Sequence, residues 1–306
     1  MSNNRLDKSP FLLANESEYQ CWRTRKLQQQ AEYDEPVHWR LDASNRFDAA
    51  TLGLARKQAK AVNFVLFESD TTLNKADFIA LNRQLGLTEL DDNLGAGHDR
   101  VTSLRVLQES DERSQYIPYT NRALNWHTDG YYNEASRTIR AFSLYCVSPA
   151  ERGGGNFLFD HEMMYLLIRD TNPEIIETLM SQDIMTIPAN IVDRRVIRPE
   201  ISCPVFSVDS ATGQLQMRYT SRPRNIIWQD DRRSETALKL IREILMDHDA
   251  VIHLQLGAGQ GLICNNMLHG REAFRDGPDG STRLVYRTRY YDFIDTESDL
   301  RAGAAA

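Results

Sequence analysis

Asn125-Trp126-His127-Thr128-Asp129-Gly130-Tyr131-Tyr132 is the stretch that decides how the rest of the chain reads. It sets an imidazole and a carboxylate two positions apart. On a strand, residues i and i+2 face the same side, so His127 and Asp129 are expected to grip one ion. A neutral ring nitrogen plus a carboxylate, completed by a distant second histidine, makes a facial triad. Such a triad leaves coordination positions open and suits non-haem Fe(II) that handles oxygen. Alone the pair is weak, because a chain with 7 histidines in 306 residues throws up His-x-Asp by chance. What strengthens it lies far downstream: Gly257-Ala-Gly-Gln-Gly-Leu-Ile-Cys-Asn-Asn-Met-Leu-His269-Gly-Arg-Glu-Ala-Phe274, followed by Arg283 and Arg287.

Outward from that stretch, composition removes several function classes. Hydrophobic residues make up 41% and charged residues 26%, and no apolar run approaches the length of a membrane span. The opening Met-Ser-Asn-Asn-Arg-Leu-Asp has no apolar secretory core, so a cytoplasmic location is expected. A net charge of -7 argues against nucleic acid as the main partner. Cys21, Cys146, Cys203 and Cys264 are widely spaced, which suits free buried thiols better than disulfides or a zinc site.

Periodicity places the motifs. Helices are expected at about Glu18–Tyr33 and over residues 47–62, the latter capped by Asn45 or Asp48. A further helix, Lys75–Leu85, should stop at Gly86. Asn63–Glu68 is a short β-prone apolar run, a buried strand. Strands are also expected at Ser103–Gln108, Thr138–Val147, Asn156–Asp160, His253–Leu256, Gly261–Cys264 and Ser281–Phe293. His161–Ile168 and Pro173–Gln182 read as helical, as does Ser234–Asp247 with Ser234 as cap. Helices at the front, then many short strands with a helical insertion, indicate one α+β domain over residues 1–306 with a β-sandwich or jelly-roll core. Residues 1–45 form an N-terminal extension with no assigned chemistry.

The order His127-Thr-Asp129, Gly153-Gly-Gly-Asn156, His269-Gly-Arg271, Arg283 and Arg287 resembles the taurine dioxygenase-like family of Fe(II)/2-oxoglutarate-dependent oxygenases, from about residue 63 to 293. The resemblance implies a double-stranded β-helix (jelly-roll) core with N-terminal and inserted helices. It implies Fe(II) as metal, with His127, Asp129 and His269 as its ligands. It further implies 2-oxoglutarate and O2 as co-substrates, giving succinate and CO2. Arg283 stands where the family pairs an arginine with the distal carboxylate of 2-oxoglutarate, a task suited to a planar two-pronged guanidinium. Arg287 matches a position that meets 2-oxoglutarate or an anionic substrate. Where many members carry Gly-Gly-Asp-Thr, this chain has Gly154-Gly155-Asn156-Phe157, so the amide of Asn156 is expected to replace the threonine hydroxyl. Retention of Asp129 favours hydroxylation or desaturation over halogenation.

Tyr131, Tyr132 and Asn133 should line the pocket mouth, and Arg222 and Arg224 lie where relatives often place substrate contacts. Arginines there, on an acidic protein, suggest a small anionic or zwitterionic metabolite. Trp126 and Phe274 read as core packing beside the iron, and His161, His248 and His253 as structural. The sequence is also compatible with a homo-oligomer. Competing readings are an oxygenase acting on a macromolecule, a non-catalytic metal-binding jelly roll, and a zinc hydrolase on the same ligands; the last two leave Arg283 without a purpose.

Overall fold

The computed structural model describes residues 6–33, 35, 37–92, 97–192, 194–222, 226–278 and 280–295. The chain opens with helix α1 (Glu16–Ala31), strand β1 (His38–Arg40), helix α2 (Ala49–Val62), strand β2 (Phe64–Glu68) and helix α3 (Lys75–Gln84). Strands β3 (Thr102–Leu104), β4 (Leu124–His127), β5 (Ala141–Ser148), β6 (Arg152–Gly153) and β7 (Asn156–Phe159) follow. An insertion then supplies α4 (His161–Thr171), α5 (Pro173–Leu179), β8 (Met185–Ile187), β9 (Asn190–Val192), β10 (Arg195–Arg198) and β11 (Ile201–Cys203). It continues with β12 (Phe206–Val208), β13 (Leu215–Met217), β14 (Ile227–Trp228) and α6 (Arg232–Asp247). The chain closes with β15 (Ile252–Leu254), β16 (Gln260–Asn265), β17 (Leu268–Arg271), β18 (Phe274–Arg275) and β19 (Leu284–Tyr290).

Two sheets organise these elements. The larger runs β1-β2-β16-β5-β19-β3, antiparallel except for the parallel β1–β2 pair, and the smaller runs β15-β7-β17-β4. Along β2 the side chains alternate between two cores. Val65 and Phe67 pack with Ala55, Ala59, Phe78 and Leu81 of α2 and α3. Phe64 and Leu66 join Phe142, Leu144, Leu158, Leu254 and Leu262. That second set comes from both sheets, so the sheets share an apolar layer. A strand buried on both faces reads as a continuous apolar run, which is why Phe64–Phe67 shows no polar alternation.

Local chemistry fixes the helix ends. The Asp48 carboxylate accepts from the Thr51 amide at 2.7 Å and caps α2, while Asn63 closes it in the left-handed region at φ 64°. Gly86, at φ +80°, ends the turn after α3 as expected. The cap of α6 is Asp231, not Ser234. Its carboxylate accepts from the Ser234 amide at 2.9 Å, so the helix starts two residues earlier. Cys21 is exposed rather than buried; the other three cysteines are free and buried.

The N-terminal extension is part of the structure, packed on the insertion. Phe11, Tyr19 and Trp22 share a core with α4, α5 and α6, and the Arg169 guanidinium lies 3.8 Å from the centre of the Tyr19 ring. Lys26, 2% exposed, donates to Asp160 at 2.5 Å, to Glu162 at 2.8 Å and to the Ala61 carbonyl at 2.8 Å. A buried ammonium with three acceptors ties α1 to the start of α4. Among the described residues, no helix is long and apolar enough to cross a membrane.

Candidate active site

His127 ends β4, and His269 sits opposite it on β17 as a direct cross-strand partner. Their ring centres lie 4.2 Å apart. Asp129 is not on the strand. It follows in a turn whose next residue, Gly130, takes φ +63°; a Cβ there would meet Ile139 Cγ1 at 2.5 Å. The same-face expectation for i and i+2 on a strand is therefore replaced by a turn that folds the carboxylate back toward the histidines. The segment after β13 closes this turn. The Thr128 amide donates to the Tyr219 carbonyl at 2.9 Å, and the Thr128 hydroxyl accepts from the Tyr219 amide at 3.1 Å.

The result is a cluster in which one ligand atom each from His127, Asp129 and His269 lies within 4.8 Å of the others, all three side chains buried. His127 Nδ1 sits 2.9 Å from the Asn125 carbonyl and His269 Nδ1 3.0 Å from the Met267 carbonyl, which leaves both Nε2 atoms for the centre. Burial, with His269 alongside, lowers the His127 pKa to about 3, and burial lowers that of His269 as well. Both rings are neutral donors at pH 7. For Asp129, burial opposes ionisation, but the charges of Arg287 and Arg289 outweigh it and hold the carboxyl well below the usual range. Its Oδ2 is buried without a hydrogen-bond partner, an orphan a divalent cation would satisfy.

Beside the cluster is a narrow cavity of about 30 Å³ lined by Leu104, Pro118, Leu124, Leu144, Asn156, His269, Gly270, Arg271, Arg283 and Arg287. Arg271 and Arg283 are 4% and 5% exposed, and among the described residues neither has a salt bridge to a carboxylate. Both guanidiniums pack over the Phe274 ring, at 4.8 Å and 5.2 Å. Arg271 Nε and Arg283 Nη1 are buried and unpartnered. Burial, then mutual repulsion, brings Arg271 down to about 9, and burial lowers Arg283 too. Two buried cations without an anion form a site for one. The volume is small because Arg287 leans across, donating to Asp129 Oδ1 at 3.3 Å with its Nε unpaired. A co-substrate carboxylate would displace that single long contact.

Asn156 faces this cavity and donates to the Gly270 carbonyl at 3.3 Å. Phe157, on the other face of β7, packs edge-on to Trp126 with ring centres 4.5 Å apart. Trp126 is thus packing as read, whereas Phe274 is the floor of the arginine pair. Tyr131 is buried, and the hydroxyl of the exposed Tyr132 accepts from Arg289 at 3.3 Å. The Asn133 side-chain amide donates to the Arg137 carbonyl at 2.9 Å within the turn. Arg222 follows Thr220, which bridges to His127, and its Nη2 is buried without a partner. Arg224 lies outside the described residues. His161 is buried at the start of α4 with its Nδ1 unpartnered, His248 at the end of α6 packs edge-on to Phe159 and accepts from the Ala250 amide at 3.0 Å, and His253 is exposed on β15. Sequence reasoning assigned no role to Arg271 or Asn266, although both lie inside the quoted downstream stretch.

The fold, with its buried cluster of two histidines and one carboxylate that could hold a metal ion, points to one protein family. The family model for the taurine catabolism dioxygenase TauD, TfdA family matches residues 23–289, and the chain belongs to that family. A uridine-5'-phosphate dioxygenase from Streptomyces sp is 34% identical over 179 residues, 56% of this chain and 62% of the relative. The match thus spans about six-tenths of that protein's length. An asparagine oxygenase in complex with Fe(II), 2S,3S-3-hydroxyasparagine and succinate superposes with TM-score 0.56 at 16% identity, covering 79% of this chain and 78% of that one. The non-heme iron oxygenase OrfP in complex with Fe and alpha-ketoglutaric acid gives TM-score 0.57 at 13% identity, covering 89% and 96%.

Proposed function

We propose that this protein oxidises an unactivated carbon of a small anionic or zwitterionic metabolite, using Fe(II), 2-oxoglutarate and O2 and releasing succinate and CO2. The observation that carries the reading is the convergence of His127, Asp129 and His269 next to two buried arginines that lack a carboxylate. A bound Fe(II) would supply open coordination positions and the redox chemistry that couples decarboxylation of the 2-oxo acid to oxidation of a carbon. The chain supplies the rest. His127 and His269 donate neutral Nε2 atoms fixed by their backbone contacts, and Asp129 supplies the charge that makes the set specific for a hard divalent ion. Arg283 takes the distal carboxylate of the co-substrate, with the Asn156 amide beside it. Apolar Leu104, Leu124 and Leu144 keep water from that end of the cavity.

The prime substrate enters from the side of Tyr131, Tyr132 and Arg222, with Arg287 freed from Asp129 as a second anion contact. An unpartnered guanidinium nitrogen at Arg222 supports an anionic group, as does likeness to a uridine-5'-phosphate dioxygenase. We read the two sheets as halves of a jelly roll within one domain, supported by the apolar layer they share. The test is an anaerobic titration with Fe(II) and 2-oxoglutarate, followed by substrate-triggered succinate release with uridine 5'-phosphate, asparagine and taurine. A visible charge-transfer band supports the reading; metal binding with no band on adding 2-oxoglutarate rejects it.

A further inference from the structure

The connection from β16 to β17 is Asn266 and Met267, directly after Asn265 at the end of β16, and it passes from the larger sheet to the smaller one. We infer that Asn266 is a positioning residue for the metal centre, holding Asp129 in place through its backbone, an inference that rests on the reading of Asp129 as a ligand. The Asn266 side-chain oxygen accepts from the Asp129 amide at 2.8 Å. Its amide group donates to the Asp129 carbonyl at 2.8 Å and to the Ile139 carbonyl at 2.9 Å. Both amide protons and the oxygen are therefore engaged, at a residue 9% exposed.

The geometry explains why this brace is needed. Asp129 sits beyond the end of β4 and has no ladder partner to fix it. Its carboxylate makes one long contact, to Arg287, and Oδ2 makes none. The side chain therefore does not hold its own backbone, and Asn266 bonds that backbone on both sides of Asp129 Cα. Bonding Ile139 as well pins the ligand to the segment against which Gly130 is pressed. The same turn orients a second ligand, because the Met267 carbonyl lies 3.0 Å from His269 Nδ1. This two-residue connection thus ties the backbone of Asp129 to the ring of His269, residues far apart in the sequence. Only an amide suits this position. A carboxylate would accept from Asp129 but oppose two carbonyl oxygens, and an alkyl group would leave three buried backbone groups unpaired.

Its neighbour provides the control. Asn265 is equally buried and bonds Asn63 at 2.8 Å and the Ile294 amide at 3.1 Å, both away from the cluster. Outer groups that orient metal ligands are worth about 10- to 100-fold in metal affinity. The experiment measures Fe(II) and Co(II) dissociation constants, the Co(II) visible spectrum and Tm for the full chain and for Asn266→Ala, Asn266→Asp, Asn265→Ala and Asp129→Ala. Expected are a loss of about 10-fold or more in metal affinity and an altered Co(II) spectrum for both Asn266 variants. Asn265→Ala should lower Tm while leaving affinity and spectrum as in the parent. If Asn266→Ala matches Asn265→Ala in affinity and spectrum, the positioning role is overturned. If Asp129→Ala keeps parental metal affinity, it is the ligand reading that fails, whatever the Asn266 variants do.

Discussion

Replacing Arg283 with methionine should move stability and co-substrate binding in opposite directions. The guanidinium is 5% exposed, has no carboxylate partner among the described residues, and keeps Nη1 unpaired. Burying an uncompensated charge costs stability, and a well-packed apolar side chain in its place is often neutral or stabilising by about 1–4 kcal/mol. Methionine can keep the contact with the Phe274 ring, now 5.2 Å from the guanidinium carbon. The backbone bond from the Arg283 amide to Asp276 at 2.8 Å does not depend on the side chain. Tm without ligands should therefore hold or rise, by about 2 °C for each kcal/mol gained. Co-substrate binding should collapse. Two charge-assisted hydrogen bonds, each contributing about 1.5–3 kcal/mol, amount to about 3–6 kcal/mol. Even the lower figure is about two powers of ten in the 2-oxoglutarate KM, since each 1.4 kcal/mol is about tenfold. The assay is thermal denaturation of the metal-free protein, paired with succinate formation against 2-oxoglutarate concentration. A clear drop in Tm with a KM within threefold of the parent would show that Arg283 is a structural residue and refute the reasoning.

Three further outcomes follow from particular contacts. Asp129→Ala should abolish the charge-transfer band and lower the metal-free Tm, because Oδ1 accepts from the largely buried Arg287 at 3.3 Å; a parental band would remove Asp129 from the ligand set. Lys26→Met should destabilise the protein by about 3–5 kcal/mol, since it strands the Asp160 carboxylate in a buried site; denaturant unfolding of both proteins measures it, and an unchanged unfolding free energy would mean that the docking of α1 does not depend on this ion pair. Asp209 is buried, which opposes ionisation, yet hydrogen bonds from Arg140 and Thr212 hold its carboxyl below the ordinary value. Its folded pKa is the lower one, so its stabilisation is complete above the unfolded value of about 3.9 and is lost as pH falls through the folded value. Asp209→Asn should therefore be less stable by about 2 kcal/mol at pH 7, with the gap to the parent closing toward pH 3 in a Tm series. A gap independent of pH would show that charge on Asp209 is irrelevant.

The residues that converge at the candidate site were legible because spacing and side-chain type constrain them directly. A histidine and a carboxylate two apart, then a histidine with arginines 14 and 18 positions further on, leave little freedom in donor chemistry. The helix boundaries were equally local, since Asp48, Asn63 and Gly86 act within one turn of themselves. The start of α6 was missed by two residues because Asp231 and Ser234 are both good caps, and only Asp231 has backbone geometry outside the helix.

What tertiary structure decided is everything that depends on partners remote in sequence. Asp129 lies on a turn and not on the strand because Asn266 bonds both its amide and its carbonyl, while Tyr219 bonds the preceding Thr128. Asn133 looks like a pocket residue in sequence, but its side-chain amide donates to the Arg137 carbonyl, four residues away, once the turn folds. Arg271 gains meaning only when Phe274 brings it beside Arg283 in a cavity with no carboxylate. By itself the sequence determined the donor set and the helix starts, because both are matters of side-chain chemistry and of backbone within one turn. Which atoms face the metal, and what holds them there, required the folded chain, because burial removes water and leaves each polar group only the partners that distant strands bring to it.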